Sequence, residues 1–368
     1  MSPGERSSFK KLLLNCTIIE EREFNMKKKF LVMTVISLLM ASFVLFGLDS
    51  ARSQLKVKIK IATLAPRGTS WWNNFVDAVK EIKKKTEGRV DFKIYPGGIM
   101  GSDATIFRKM RMGQLHGASF TAGGIGTVYS DFQVMSLPFL FRNYKEVDYV
   151  RSKIDPLISK RLEEKGYIPL AIIDSGFVFL MSNRQIKDVA SLKGCKIWIP
   201  EGDPIGKALC EEAGVPPIPL PIVDVLTGLQ TGLIDTICIT PEGAFLLQWF
   251  TKVKYLTNLP LLYGYATIVL SKKAFLKIPK DDRPIVREVM KRRMAKLKKS
   301  NRDYNEQAKE LLKKEGIKFV TLTPSAISNM ESLGNKVRDK LIHQEIFSKE
   351  IVSTLLNSIS QYRKGAKD

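Results

Sequence analysis

Residues 167–181 read YIPLAIIDSGFVFLM, a long uninterrupted extended run of mostly apolar residues. Strands in globular proteins usually have about five or six residues, so this run exceeds what a single small sheet needs. It therefore predicts a strand that crosses from one domain into another.

Strand and helix patterns alternate on both sides of this run. Upstream, the pattern predicts strands at 57–64, 90–94 and 118–121. It also predicts one helix that Thr69 or Ser70 caps and a second helix at 104–112. Downstream, it predicts strands at 196–199, 233–239, 268–270 and 317–322 and helices at 204–212, 223–231 and 283–315. Repeated β-α units predict helix-covered mixed or parallel sheets, with a ligand site at strand carboxyl ends or in an interdomain cleft.

Two local features qualify this pattern. The glycines at 123, 124 and 126 lack the full dinucleotide-binding spacing, so a tight strand-to-loop turn is predicted there. Pro156 lies inside the helical pattern that contains Val147 and Val150, and we expect it to bend or break that helix.

Composition excludes several classes of protein. The 368 residues are 44% hydrophobic and carry 59 Lys plus Arg against 37 Asp plus Glu, a formal charge of +22. Disorder and a disulfide-stabilised miniprotein are excluded, and the length suggests two domains. Much of the positive excess lies between 272 and 318, interleaved with acidic residues as on a solvated helix face. We expect no nucleic-acid partner, because no zinc-finger spacing or aromatic RNA-binding signature accompanies the charge.

The sequence predicts an export signal near the start of the chain. Lysines 27–29 precede the uncharged stretch 30–48, and Ala51 and Ser53 supply small residues for cleavage before Gln54. A signal peptide at about 26–53, with Met26 as the true start, predicts a periplasmic protein. An uncleaved membrane anchor is the alternative, because the stretch is just long enough to span a bilayer.

Signatures of catalysis and metal binding do not appear. His116 and His343 lie far apart, the four cysteines form no C-x-x-C pair, and no nucleophile stands beside a matching base. No catalytic residue, metal site or cofactor is predicted, and we expect no enzyme. A Cys195–Cys210 bond and buried free thiols both stay open for the cysteines beyond the signal.

An ordered set of short motifs carries a family resemblance. The motifs are IATL at 61–64, TSWW at 69–72, YPGGIMG at 95–101, MGQL at 112–115, LPFLF at 137–141, SLKGCKIWIP at 191–200 and LQTGLID at 229–235. In this order the chain resembles the solute-binding proteins of TRAP (tripartite ATP-independent periplasmic) transporters, of the C4-dicarboxylate-binding type.

The resemblance implies an α/β fold of the two-domain periplasmic binding protein type, with an interdomain ligand cleft, crossing strands and a long hinge helix. The expected division is 54–175 plus 263–302 for the first domain and 176–262 plus 303–368 for the second, after a targeting region at 1–53. It implies capture of a small organic ligand by hinge closure. The expected partners are the ligand, the membrane subunits of a TRAP permease driven by an ion gradient, and an accessory periplasmic protein.

The resemblance also indicates the ligand site. The positions that it implies are Ala65, Trp71, Thr121, Gly123, Val178, Trp198, Ile222, Thr240 and Glu242. Of the two adjacent tryptophans, we expect Trp72 in the core. Trp198 stands where the family usually has its carboxylate-binding arginine, and Val178 near a second arginine of some members. An indole ring offers a large apolar surface and one donor in place of a guanidinium fork.

These substitutions predict an apolar or amphipathic ligand, such as a monocarboxylate or a lipid-like molecule. Three alternatives stay open. In the first, Trp198 and Val178 are core residues, and Arg67, Arg108 or Arg184 binds an ordinary C4-dicarboxylate. In the second, the protein is a carrier or sensor without a transporter. In the third, the α/β scaffold is an enzyme.

Overall fold

The computed structural model describes Met33, Thr34, Ile36 and residues 56–365. The predicted signal peptide or anchor at about 26–53 lies almost entirely outside the described residues. None of the helices in the described part of the chain is both long and apolar enough to cross a bilayer. The fold described below is that of the unit Lys56–Asp368, which is distinct from Met1–Leu55.

The described unit contains ten strands. They are β1 Val57–Ala62, β2 Val90–Tyr95, β3 Gly117–Thr121, β4 Tyr167–Ser182, β5 Ile197–Pro200, β6 Pro217–Leu220, β7 Thr236–Ile239, β8 Tyr255–Thr257, β9 Leu262–Ser271 and β10 Lys318–Val320.

Helices cover the strands. The α-helices of the described unit are α1 Ser70–Lys85, α2 Asp103–Arg111, α3 Ala122–Gly126, α4 Tyr144–Glu164, α5 Pro204–Glu212, α6 Val225–Thr231, α7 Pro241–Leu246, α8 Lys272–Phe275, α9 Arg283–Lys314, α10 Pro324–His343 and α11 Lys349–Gly365. Short 3-10 turns occur at Ser130–Ser136, Ala190–Leu192, Ile222–Asp224, Trp249–Lys252 and Lys280–Asp282.

The strands hydrogen-bond in the order β2-β1-β3-β9-β4-β7-β5-β6, with β8 on β4 and β10 on β8. We call β1, β2, β3 and β9 the first part of this network, and β5, β6, β7, β8 and β10 the second part. Strand β4 joins the two parts: it pairs with β9 from Tyr167 to Val178 and with β7 from Phe179 to Ser182. The crossing strand predicted from residues 167–181 is thus confirmed.

The crossing strand is irregular where it leaves the first part. Its pairing with β9 shifts register between Asp174 and Gly176, and Gly176 has a φ of 94°. A carboxylate oxygen of Asp174 accepts the N–H of Gly176 at 3.0 Å. Glycine is needed here, since it adopts this left-handed conformation freely and a Cβ atom would lie 2.6 Å from the Asn305 side chain.

Alternation along the strands divides the core. Ile59 and Ile61 of β1 pack into one cluster with α1 and α9, whereas Ala62 packs into another with α4. In β4, Phe179 and Leu180 likewise belong to different clusters. Each part of the sheet is therefore buried on two faces, as expected for strands covered by helices.

One local prediction is wrong, and a second is wrong in part. Residues 122–126 form the short helix α3, which Thr121 caps, rather than a turn and loop. Helix α4 spans 21 residues and continues through Pro156, so the predicted break does not occur, while the predicted bend stays a prediction. Proline removes one N–H donor, and Pro156 lies on the exposed side of α4, where water can satisfy the freed carbonyl.

The domain division given above stays a prediction. One contact bears on its C-terminal segment: Arg363 of α11 donates to the buried Glu146 of α4 at 2.8 Å, and the rings of Tyr149 and Tyr362 lie 5.5 Å apart. Helix α11 therefore lies against α4, which precedes the crossing strand.

Candidate functional site

A cavity of about 340 Å³ lies between the two parts of the sheet. Its walls include the residues that follow β1 and β3 in the first part and β5 and β7 in the second. The carboxyl ends of these strands meet at the cavity, which is where open α/β folds bind ligands. Its size is within the range of small-molecule sites.

All nine positions implied by the resemblance line this cavity. They are Ala65, Trp71, Thr121, Gly123, Val178, Trp198, Ile222, Thr240 and Glu242. The fold brings them together from both parts of the sheet; their contact with a ligand stays a prediction.

Trp198 forms part of the apolar wall and is only 4% exposed. Its indole N–H donates to the backbone oxygen of Leu220 at 3.0 Å, and its ring meets Trp249 edge to face with centroids 5.2 Å apart. The one donor of this side chain is therefore occupied. Trp198 therefore presents to the cavity an apolar surface that has no free hydrogen-bond donor.

The three arginines considered as substitutes do not reach the cavity. Arg67 stacks over Trp72 with its guanidinium carbon 5.6 Å from the ring centre. Arg184 is exposed, and its Nε lies 3.9 Å from Oδ2 of Asp235. Arg108 is exposed on α2. Among the described residues, no Lys, Arg or His lines the cavity.

Carboxyl groups are present instead. Asp203 caps α5 by accepting the N–H groups of Ile205 and Gly206, both at 3.1 Å, while burial raises its pKa to about 6. Glu242 lies in the first turn of α7, and burial raises its pKa to about 7. Within the described part of the chain, the hydrogen bond of Glu242 is made by its backbone N–H, and its carboxyl has no hydrogen bond or ion pair. Neither group favours an anionic ligand.

Buried amides complete the polar lining. Asn301 and Gln133 line the cavity and are 5% and 1% exposed. The Asn301 side-chain oxygen and both polar atoms of the Gln133 amide have no hydrogen-bond partner. Buried polar groups are nearly always paired, so these three atoms are exceptions among the residues that line the cavity.

Residues 61–345 match the model of the family described as bacterial extracellular solute-binding protein, family 7, DctP. The chain belongs to this family. Its members are receptors rather than enzymes; they bind small molecules and work with membrane permease subunits.

Two curated relatives illustrate the range of this solute-binding family. The C4-dicarboxylate-binding periplasmic protein DctP of Rhodobacter capsulatus is 25% identical over 263 residues, covering 70% of this chain and 78% of its own. The 2,3-diketo-L-gulonate-binding periplasmic protein YiaO of Escherichia coli K12 is 25% identical over 268 residues, covering 71% and 80%.

Solved structures confirm the two-domain fold of TRAP periplasmic solute-binding proteins. The protein from Haemophilus influenzae with bound L-gulonate has a TM-score of 0.77 at 20% identity and covers 82% of this chain and 100% of its own. The protein from Desulfovibrio salexigens with bound orotic acid has a TM-score of 0.76 at 19% identity, covering 83% and 99%. The match to the family model confirms the family resemblance in the sequence.

One side-chain assignment in this DctP-family chain is wrong. We expected Trp72 in the core, but Trp71 packs against the core of the first part, meets Phe75 edge to face and also lines the cavity. Trp72 is half-buried and carries Arg67 over its ring. Adjacent helix positions point about 100° apart, so the rotation of α1 decides which ring faces inward.

Sequence reasoning missed the amides of α9. Asn301 and Asn305 follow Leu297 at four-residue spacing and precede Leu312, so they lie on the buried stripe of a strongly charged helix. That placement was the available signal, because asparagine on an apolar stripe predicts a buried amide. Gln133 gave no comparable signal.

The sequence does not decide whether the cysteines form a disulfide bond or are free thiols. Cys195, Cys210 and Cys238 are free, and Cys238 lines the cavity of this solute-binding protein. Burial raises the pKa of Cys210 to about 11. The thiols therefore behave as small apolar groups.

Proposed function

We propose that this chain is the binding subunit of a TRAP transporter for an apolar or amphipathic organic molecule, with monocarboxylates and lipid-like molecules as candidates. It delivers the molecule unchanged to an ion-gradient-driven permease, with an accessory periplasmic protein as a further candidate partner. The observation that carries the proposal is the absence of any cationic side chain among the described residues that line the cavity.

Electrostatics support this choice of ligand. A dicarboxylate that enters the cavity must lose most of its hydration, and an unpaired charge in an apolar site costs several kcal/mol. An arginine fork would offset that cost, but Trp198 and Val178 occupy the two positions considered for it. Each buried methylene group, in contrast, stabilises the complex by about 0.8 kcal/mol.

Close contacts between the two parts of the sheet support capture by closure. A Cβ atom on Gly98, after β2, would lie 2.6 Å from Cγ1 of Val223, and one on Gly123 would lie 3.4 Å from Cβ of Pro200. Each contact joins the first part of the sheet to the second. A ligand that touches both parts favours the closed arrangement, so binding shifts the population towards the form that a permease can recognise.

The first test has two measurements on the purified protein. Mass spectrometry of molecules released by denaturation is expected to recover an apolar or amphipathic compound in stoichiometric amount. Calorimetry is expected to show that octanol binds at least about tenfold more tightly than succinate, because eight carbons gain more from burial than four carbons bearing two charges. Recovery of a small dicarboxylate, or tighter binding of succinate, would overturn the proposal and restore the function that the name of the Rhodobacter relative states.

Trp198→Arg tests the wall itself. We expect octanol affinity to fall about tenfold or more and succinate binding to appear, since a guanidinium replaces an apolar surface with a carboxylate-binding fork. Trp198→Phe keeps a ring and is the matched control, with octanol affinity expected within about threefold. Thermal unfolding of each variant verifies the fold, because Trp198 is buried. Unchanged octanol binding by folded Trp198→Arg protein would remove this residue from the site.

A further inference from the structure

One end of the cavity is built to accept hydrogen bonds. We call Ser175, Glu242 and Asn301 the acceptor end; all three line the cavity. Asn305 lies beneath them, 2% exposed, and ties them together. Its side-chain oxygen accepts the Glu242 N–H at 3.1 Å, and its nitrogen donates to the backbone oxygens of Ser175 at 3.1 Å and Asn301 at 2.8 Å.

The free atom of Asn301 is an acceptor. Its side-chain nitrogen donates to the backbone oxygen of Asp174 at 2.7 Å, which fixes the orientation of the amide because a carbonyl cannot donate. The side-chain oxygen is buried and has no partner. A ligand placed here must therefore donate a hydrogen bond to satisfy it.

The carboxyl of Glu242 is the second acceptor. Burial raises its pKa to about 7, and no ion pair among the described residues involves this carboxyl. The cationic side chains on the surrounding elements form ion pairs with other carboxylates. These pairs are Arg302 with Asp148 and Asp174, Lys309 with Glu306, and Arg151 with Asp155. An incoming cation would find an unpaired carboxylate and would face no competing cation in the described lining.

We propose that the ligand of this cavity carries a protonated amino group, which Glu242 and the side-chain oxygen of Asn301 bind, while its apolar body lies against Trp198. This inference rests on the proposed function and names the polar end of the amphipathic ligand. An ammonium group has three donors and no acceptor, which complements the acceptor end. A carboxylate would place a second anion beside Glu242 in an apolar site, so this inference sets aside the monocarboxylates among the candidate ligands and keeps the amphipathic class.

A matched series of octyl compounds tests the inference by calorimetry on the purified protein. At pH 8 octylamine is expected to bind at least about tenfold more tightly than octanol, and octanoate more weakly than octanol, because only the amine gains a charge-assisted hydrogen bond. In Glu242→Gln the advantage of octylamine over octanol is expected to fall to less than about threefold. Glu310→Gln removes an exposed carboxylate on α9 and is the matched control, with octylamine affinity unchanged.

The pH dependence supplies a second readout. Octylamine stays protonated between pH 6 and pH 8, as a lysine side chain does. Glu242 must lose its proton to bind the amine, and its pKa lies at about 7. Octylamine affinity is therefore expected to fall about tenfold from pH 8 to pH 6 in the native protein and to stay level in Glu242→Gln.

The outcomes separate the two proposals. Octanol binding without an amine preference, or an amine preference that survives Glu242→Gln, would overturn this inference and leave the apolar-ligand function standing. Tighter binding of succinate than of every octyl compound, or no binding of any octyl compound, would overturn both.

Discussion

Replacing Arg302 with methionine is expected to lower the free energy of unfolding by about 3 to 5 kcal/mol. Arg302 of α9 donates from Nε to the Asp174 carboxylate of β4 at 2.8 Å and from Nη2 to Asp148 of α4 at 2.7 Å. The Asp174 side chain is fully buried and would lose its ion-pair partner. The loss is large because a buried carboxylate without its ion-pair partner keeps its desolvation cost.

Urea unfolding followed by circular dichroism measures this effect, and Lys298→Met is the matched control. Lys298 also contacts Asp148, at 2.6 Å, but its side chain is 41% exposed. Exposed ion pairs contribute about 0 to 1 kcal/mol, so the control should lose less than about 1 kcal/mol. The double variant Arg302→Met with Asp174→Asn should recover part of the loss, since it removes the buried charge. Equal, small losses in both single variants would show that the Asp174 pair does not stabilise the crossing strand.

The second large effect concerns ligand binding. Gly123→Leu is expected to weaken binding about ten- to a hundredfold, because overpacking a close contact costs about 1 to 3 kcal/mol. A Cβ atom on Gly123 would lie 3.4 Å from the Cβ of Pro200, which belongs to the second part of the sheet. The additional leucine atoms must enter either the cavity or the contact between the two parts of the sheet.

Gly123→Ala is the matched control for Gly123→Leu. A methyl group makes a tight but tolerable contact with Pro200, and Gly123 does not adopt a positive φ, so affinity should change less than about threefold. Calorimetry with whichever of octanol or succinate binds the parent protein gives the comparison, independently of the ligand's identity. Full affinity in a folded Gly123→Leu protein would show that the two parts need not meet at this contact for binding.

Helix α9 contributes residues both to the acceptor end of the cavity and to the buried ion pair. The helix bears Asn301 and Asn305 towards the cavity lining and Arg302 towards Asp148 and Asp174. Consecutive residues thus serve binding and stability. We expect ligand binding and the stability of the crossing strand to be coupled through this helix, since Asn301 bonds to the backbone of Asp174 itself.

The sequence predicted those features that depend on local patterns. Alternation in runs such as 90–94 and helical spacing on α1 follow from the geometry of one segment, so their assignment to strand and helix was correct. The length of the run at 167–181 predicted the crossing strand for the same reason. Most of the nine cavity positions converge because they lie at or just after strand ends or, for Val178, on the crossing strand, whereas Trp198 lies within β5 and Trp71 on α1. The order of motifs placed these segments within one family.

Only the tertiary structure decided which atoms in the cavity are free. The Trp198 donor is taken by Leu220, whereas the carboxyl of Glu242 and the side-chain oxygen of Asn301 lack partners. These facts depend on residues brought together from distant positions, and on the rotation of each helix about its axis. Local sequence patterns fix the periodicity of an element, but burial and hydrogen-bond partners are set by what the element packs against.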